Sequence, residues 1–290
     1  MYDSTPSSEL SPAVLREAAS RALGEDLGPA DLTSLATVPE DLTATAQIVT
    51  REPCVLAGLP VARQVFVEAS LSMEMDDHAR DGDRLEAGAR ILSVTGNARA
   101  ILTAERTALN FLQQLSAVAT KTRRYVDAVA GSGAKILDTR KTIPGLRVLQ
   151  KYAVRCGGGH SHRWGLYDAF LIKDNHLALM GEPGNWAKAV ATARELNPDV
   201  LLEVEADTVA QVRILAGLGV DRILLDNMSN EEMSQCVQLV ADAAETEASG
   251  GMTLERVAEV AATGVDYISV GELTHSLRAL DFSLEMAASA

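Results

Sequence analysis

The hydrophobic pattern changes period along the chain. Behind Ser11-Pro12, an N-cap followed by proline at the first helical position, Val14–Leu23 keeps apolar residues at helical spacing. Gly24–Ser34 is a turn-rich connection. From Thr43 to Gly96 the texture becomes short β-type runs, Ala46–Thr50, Val55–Ala57 and Ile91–Val94, with a helical run, Leu59–Ala69, between the second and third. Such a mixture predicts a small α+β domain. The spaced glycines of Gly82–Gly96 predict a hairpin rather than a phosphate loop. Residues 98–130 return to helical spacing through Ile101, Leu102, Leu109, Phe111, Leu112 and Leu115, as one long helix or two in tandem.

A βα series follows. Strands are predicted at Lys135–Leu137, Ala169–Ile172, Val200–Val204, Arg222–Leu225 and Tyr267–Val270, with a weak one near Ala243–Glu247. Helices are predicted between them at Leu146–Arg155, Asn185–Leu196, Thr208–Leu218, Asn230–Ala241 and Leu254–Ala262. The strands end in DTRK, KDN, EVEAD, LDN, EASGG and VGE. Polar residues at nearly every C-terminal strand end favour a barrel, which gathers those ends on one face. An open sheet would carry its site at one switch point with a glycine fingerprint, and no G-x-G-x-x-G is present. The fold class is therefore α/β, with a barrel of about six or seven strands.

Charge sharpens this picture. The 290 residues carry a formal charge of −14, yet Arg140, Lys141, Arg147, Lys151, Arg155, Arg163 and Lys173 crowd one interval in which Asp168 is the only acid between Lys141 and Lys173. Cations following two buried strands repel one another unless something negative binds there, so the stretch reads as an anion-binding site. Overall acidity argues against nucleic acid as a partner. Cys54, Cys156 and Cys236 are few and widely spaced, which suggests a reducing cytosol. No apolar run reaches spanning length and no leader pattern opens the chain, so a cytoplasmic protein without membrane partners is expected.

Several residues are candidates for the chemistry. Ser249, Gly250 and Gly251 end one of the last strands of the series, where backbone N–H groups of barrel loops often hold phosphate. Glu203 and Glu205 share a face of their strand, and Asp226 ends the next. These acids could hold Mg²⁺, stabilise a positive charge developing on a substrate, or simply pair with Arg140 and Lys173. His160, His162 and His176 lie among cations with no carboxylate at ligand spacing, which weighs against a metal centre. His162, beside Arg163, reads instead as a donor to an acidic substrate. Arg106 is an isolated cation on a largely apolar helix, and spacing alone leaves open whether it is a snorkelling surface arginine or part of the site. Together these residues predict a ligand with one phosphate and further acidic groups.

The segments TAERTALNFLQ, DTRKTIPGLRVLQKYAVRCGGG, HRWGLYDAFLIKDNH, EVEAD, LLDN, EASGG and VGELTHS, taken in that order, resemble the quinolinate phosphoribosyltransferase family. EDLGPADLTS and REPCVLAGLPVA extend the likeness over nearly the whole chain, while Ser161 stands where asparagine is expected. The resemblance implies an N-terminal α/β sandwich over residues 1–108, an open seven-stranded α/β barrel over 109–272, and a tail, 273–290, returning to the first domain. It implies transfer of phosphoribosyl from phosphoribosyl pyrophosphate to quinolinate with decarboxylation. Arg106, Arg140, His162, Arg163 and Lys173 would grip the quinolinate carboxylates, with Thr139 and Lys141 beside them. Lys141, Glu205 and Asp226 would be catalytic, Glu205 and Asp226 would hold Mg²⁺ directly or through water, and Glu203 would lie close by. Ser249, Gly250, Gly251, Val270, Gly271 and Glu272 would form the phosphate turns. A homodimer or higher homo-oligomer, with Arg106 entering the neighbouring site, is also implied. A relative acting on nicotinate, or a non-catalytic phosphosugar binder, would share the barrel.

Overall fold

The computed structural model describes residues 10–181 and 184–287. Compactness divides the chain into two units, one comprising 1–123, 148–158 and 276–290, the other 124–147 and 159–275.

In the first unit, α1 (Pro12–Leu27) starts where Ser11 Oγ accepts the Val14 N–H, and α2 (Leu32–Thr37) is capped by Asp31. Strands β1 (Thr43–Thr50), β3 (Glu74–Asp77), β5 (Arg90–Asn97) and the distant β12 (Phe282–Ala287) form an antiparallel sheet in the order β12-β1-β5-β3. Between them, α3 (Leu59–Ala69) buries Leu59, Val61, Ala62, Val65 and Phe66, a helical stripe whose larger members each contribute about 1.5–3 kcal/mol. The half-buried Asp81 accepts the Gly58 and Leu59 N–H groups at 2.8 and 3.1 Å and so caps that helix from outside.

The hairpin expected at Gly82–Gly96 does not form. β4 (Arg84–Leu85) pairs with β2 (Cys54–Val55), whereas β5 pairs with β1 and β3. Register explains the difference, because Leu92 and Val94 have their partners on two other strands and, like Ile91, are buried. Residues 98–128 form the single long helix α4 (Ala98–Ala128). The GGG turn after α5 (Arg147–Cys156) is used for packing. A Cβ on Gly157 would lie 2.5 Å from Ala119 O, so only glycine lets the chain pass α4 that closely.

The second unit is the βα series. Strands β6 (Lys135–Leu137), β7 (Phe170–Ile172), β8 (Leu202–Ala206), β9 (Arg222–Asp226), β10 (Glu245–Ser249) and β11 (Tyr267–Ser269) form a parallel sheet in the order β6-β11-β10-β9-β8-β7. The seventh position is reduced to one parallel bridge between Leu137 and His160, at the open seam of the barrel. Helices α6 (Asp174–Met180), α7 (Gly184–Leu196), α8 (Val209–Leu215), α9 (Asn230–Val240), α10 (Val257–Ala261) and α11 (Glu272–His275) follow their strands. Caps from Thr208 and Ser229, each with a reciprocal glutamine or glutamate, start α8 and α9.

The weak strand lies two residues later than expected, and its polarity has a cause. Glu245 and Glu247 both receive the Arg222 guanidinium, Glu247 also accepts the Ser269 hydroxyl, and Thr246 bonds Asp266. Hydrophobic pattern could not find a strand whose polar side chains are satisfied by partners from neighbouring strands and loops. Among the described residues, no helix is long and apolar enough to cross a membrane.

Candidate active site

Strand order decides which loops meet. β6 neighbours β11, so Lys141 comes beside the Gly271 turn, and a Cβ on Gly271 would lie 3.2 Å from Lys141 Cδ. The Thr274 hydroxyl donates to Lys141 O at 2.7 Å and ties the two loops together. Thr139 Oγ1 accepts the Lys141 N–H at 3.1 Å, turning the loop so that the lysine side chain faces solvent.

Arg140 and Arg163 are half-buried, and neither forms a salt bridge among the described residues. Arg140 Nε is buried without a hydrogen-bond partner. Burial, and then the charge of Arg140, pull the Arg163 guanidinium below its ordinary pKa. Both effects leave this pair in want of an anion. Arg147 has a different duty, bracing the loop through Thr142 Oγ1 at 3.2 Å and Trp164 O at 2.9 Å. Asp168 accepts two backbone N–H groups from Trp164 and Gly165 and is consumed in a turn. Lys151 and Arg155 belong to the first unit, and Lys151 has no exposed surface. Arg106 is exposed on α4 in that same unit.

The carboxylates separate into two kinds. Glu205 and Asp226 end adjacent strands. Glu205 accepts Lys173 Nζ at 3.0 Å and the Asp174 N–H at 3.3 Å. Asp226 Oδ2 accepts Asn227 Nδ2 at 2.7 Å. Glu203, expected beside the ribose, is instead wholly buried in the barrel lumen, where it bonds His162 at 2.8 Å. Alternation along β8 turns Glu203 inward to the same interior as Glu247 on β10. Burial pushes both carboxyls up to about 7, and their mutual repulsion adds to the rise at Glu247.

His162 departs from the role expected of it. Its Nδ1 accepts the Arg163 N–H at 2.7 Å, and its Nε2 meets Glu203 at 2.8 Å and Glu247 at 3.6 Å. Both ring nitrogens are thus engaged within the protein. The carboxylates that sequence spacing did not reveal come from strands far along the chain. Among the described residues, His162, Glu203 and Glu247 form one group whose ligand atoms lie within 4.8 Å of one another. Arg222 Nη1, at 3.2 Å from Glu247, supplies positive charge there, so a divalent ion would be repelled. For Mg²⁺ the better donors are Glu205 and Asp226, hard oxygens at neighbouring strand ends.

At the last strands, Gly250 and Gly251 take positive φ, and a Cβ on Gly250 would sit 2.2 Å from Asn227 Oδ1. Arg256 reaches back from the following segment to Gly250 O at 3.2 Å and Met228 O at 2.9 Å, fixing this loop from below. Val270 is fully buried and its N–H is given to Leu137 O, so neither is available to a ligand. Glu272 accepts the Tyr125 hydroxyl, which turns it toward α4. These two positions support the turn rather than line it.

The comparisons decide the family. The model of the quinolinate phosphoribosyl transferase N-terminal domain matches residues 31–116, and that of the C-terminal domain matches 118–285. The chain belongs to the quinolinate phosphoribosyl transferase family. It is 45% identical over 280 residues to the nicotinate-nucleotide pyrophosphorylase (carboxylating) of Mycobacterium leprae, covering 93% of this chain and 96% of that protein. A mitochondrial quinolinate phosphoribosyltransferase (decarboxylating) of Nicotiana tabacum is 41% identical, over 91% of this chain and 80% of its own. The solved nicotinate-nucleotide pyrophosphorylase of Francisella tularensis superposes with a TM-score of 0.91 at 37% identity, over 98% of this chain and all of that one. The quinolinate phosphoribosyl transferase barrel thus carries both the guanidinium pair and the glycine turns on one set of strand ends. Sequence reasoning passed over Asn227, Arg256, Arg222 and Glu247. Asn227 could have been suspected from its place in LDN, whereas the other three needed the strand order.

Proposed function

We propose that this chain transfers the phosphoribosyl group of phosphoribosyl pyrophosphate to the ring nitrogen of quinolinate, with loss of CO₂. The products are nicotinate mononucleotide and pyrophosphate, for NAD synthesis. One observation carries the reading: Arg140 and Arg163 stand together, half-buried, with no salt bridge among the described residues and with Arg140 Nε unpartnered, so that a dicarboxylate would supply what they lack.

Lys173 adds a third cation and, through Glu205, links the carboxylate end of the site to the ribosyl end. As the C1–oxygen bond breaks, its electron pair leaves with pyrophosphate, and C1 gains positive character before the ring nitrogen bonds to it. Glu205 and Asp226 stabilise that charge electrostatically. The newly cationic ring then accepts the electron pair released when the adjacent carbon–carboxylate bond breaks, so no general base is required. A proton from Lys141 or water completes the ring carbon. Ser249, Gly250, Gly251 and Gly271 receive the 5′-phosphate. Glu205 and Asp226 would hold Mg²⁺, which would supply neutralising charge for the departing pyrophosphate.

The same reading includes a homodimer, or a higher assembly of such dimers, in which Arg106 of one subunit enters the other's site. The cytoplasm is its proposed compartment, on cysteine usage alone. The test is product formation. Quinolinate, phosphoribosyl pyrophosphate and Mg²⁺ should give nicotinate mononucleotide, chelation should stop it, and nicotinate in place of quinolinate should give none. Equal turnover of nicotinate would overturn the assignment.

A further inference from the structure

The loop that carries Arg163 is held by a chain of hydrogen bonds ending on buried carboxylates. Asp138, fully buried at the end of β6, accepts the His162 N–H at 3.0 Å. The His162 ring then accepts the next N–H, from Arg163, through Nδ1 at 2.7 Å. A nitrogen that accepts this bond carries no proton, so in the neutral ring the proton sits on Nε2. That proton points to Glu203 Oε2 at 2.8 Å, and Glu203 has no exposed surface. The ring itself is nearly closed off, with 8% of its side chain exposed. Neither nitrogen can serve a substrate carboxylate without giving up one of these bonds.

The geometry points to Glu203 as a positioning residue for quinolinate binding, acting through His162 on the main chain that presents Arg163. This rests on the proposed activity only for its kinetic consequence. Glu203 touches no substrate. It holds the imidazole in one tautomer, the imidazole holds the Arg163 N–H, and the guanidinium is left aimed from a fixed root, with Nη1 on Ala169 O at 3.3 Å. Without an acceptor at position 203, His162 Nε2 keeps only the more distant Glu247, at 3.6 Å, so the ring is held less tightly, the Arg163 N–H bond weakens, and the guanidinium loses its fixed origin.

Two variants separate this from a charge effect. Glu203→Gln keeps an acceptor oxygen for Nε2–H, whereas Glu203→Met keeps the volume and removes the acceptor. Glu203→Met should raise the quinolinate KM at least tenfold, leave the phosphoribosyl pyrophosphate KM within twofold, and leave kcat within threefold. Glu203→Gln should restore a quinolinate KM within threefold of wild type. Equal defects in both variants, or a loss confined to kcat, would overturn the inference.

A second measurement is independent of turnover and of whether Glu203→Met folds. In wild-type protein labelled with ¹⁵N-histidine, His162, identified by its loss in His162→Gln, should show an unprotonated Nδ1 and a protonated Nε2. The pattern should persist when quinolinate is added. A doubly protonated ring, or the opposite tautomer, in the free protein would refute the positioning chain. Absence of wild-type turnover with the expected tautomer present would instead refute the assigned activity.

Discussion

Gly250→Ala offers a magnitude that follows directly from the structure. A methyl group there would stand 2.2 Å from Asn227 Oδ1 and 2.8 Å from Asn227 N, on a backbone at φ +90°. That conformation costs an L residue about 1–2 kcal/mol. A main-chain atom cannot swing aside, so overpacking adds about 1–3 kcal/mol. Moving Asn227 also weakens its bond to Asp226, roughly another 0.5–1 kcal/mol. The sum is about 2.5–6 kcal/mol, or a Tm lower by roughly 5–24 °C. Gly251→Ala is the internal control. It sits at φ +57° with Arg256 Nη1, at 3.7 Å, as its nearest neighbour. It bears only the backbone cost of about 1–2 kcal/mol, a fall of roughly 2–8 °C. Differential scanning calorimetry of both variants at one protein concentration makes the comparison. Kinetics of Gly250→Ala should show a larger rise in the phosphoribosyl pyrophosphate KM than in the quinolinate KM. A Gly250→Ala protein as stable as Gly251→Ala would refute the close packing of this turn on Asn227.

Three further outcomes are expected. Arg140→Ala and Arg163→Ala should each reduce kcat/KM for quinolinate by about 10- to 150-fold, the equivalent of roughly 1.5–3 kcal/mol, while Asp226→Asn lowers kcat far more than it weakens quinolinate binding; steady-state kinetics distinguish the two patterns. Arg106→Ala and Asp226→Ala, each nearly inactive alone, should recover about one quarter of wild-type activity when mixed in equal amounts and re-associated as dimers, and no recovery with exchange verified by mass would place Arg106 in its own subunit's chemistry. Glu203 and Glu247, pushed up to about 7 from an ordinary value of 4.5, keep a proton in the folded protein that the unfolded chain has released. Their contribution to stability is therefore complete below pH 4.5 and declines as pH rises toward 7, so urea midpoints should fall over that window in wild type and fall less in Glu247→Gln.

The parts of the fold with a clean period were legible from residues alone. α4 follows from its apolar repeat, and the barrel class follows from polar residues closing successive buried strands. β10 was displaced because its glutamates and threonine are satisfied by Arg222, Ser269 and Asp266, partners contributed by other strands. The hairpin reading failed for a related reason, since glycine spacing reports turns but not which strand a segment pairs with. At the site, residue type marked Arg140 and Arg163 as cations, and the structure places them half-buried with no salt bridge among the described residues. It could not tell that His162 faces two buried carboxylates, nor that Lys151 is buried and Arg147 braces a loop. Ser161, at the position where asparagine was expected, has a buried hydroxyl without a hydrogen-bond partner, and nothing in its surroundings accounts for the exchange.

The central claim is that the paired guanidiniums hold a dicarboxylate that loses one carboxyl group as its nitrogen takes up the sugar. Quinolinate labelled with ¹⁴C in the carboxyl next to the ring nitrogen tests this most directly. Released label should appear as CO₂, one for each pyrophosphate formed, only when phosphoribosyl pyrophosphate is present, and Arg163→Ala should lower the quinolinate kcat/KM of that release. Label retained in the nucleotide product, or CO₂ released without the sugar donor, would contradict it.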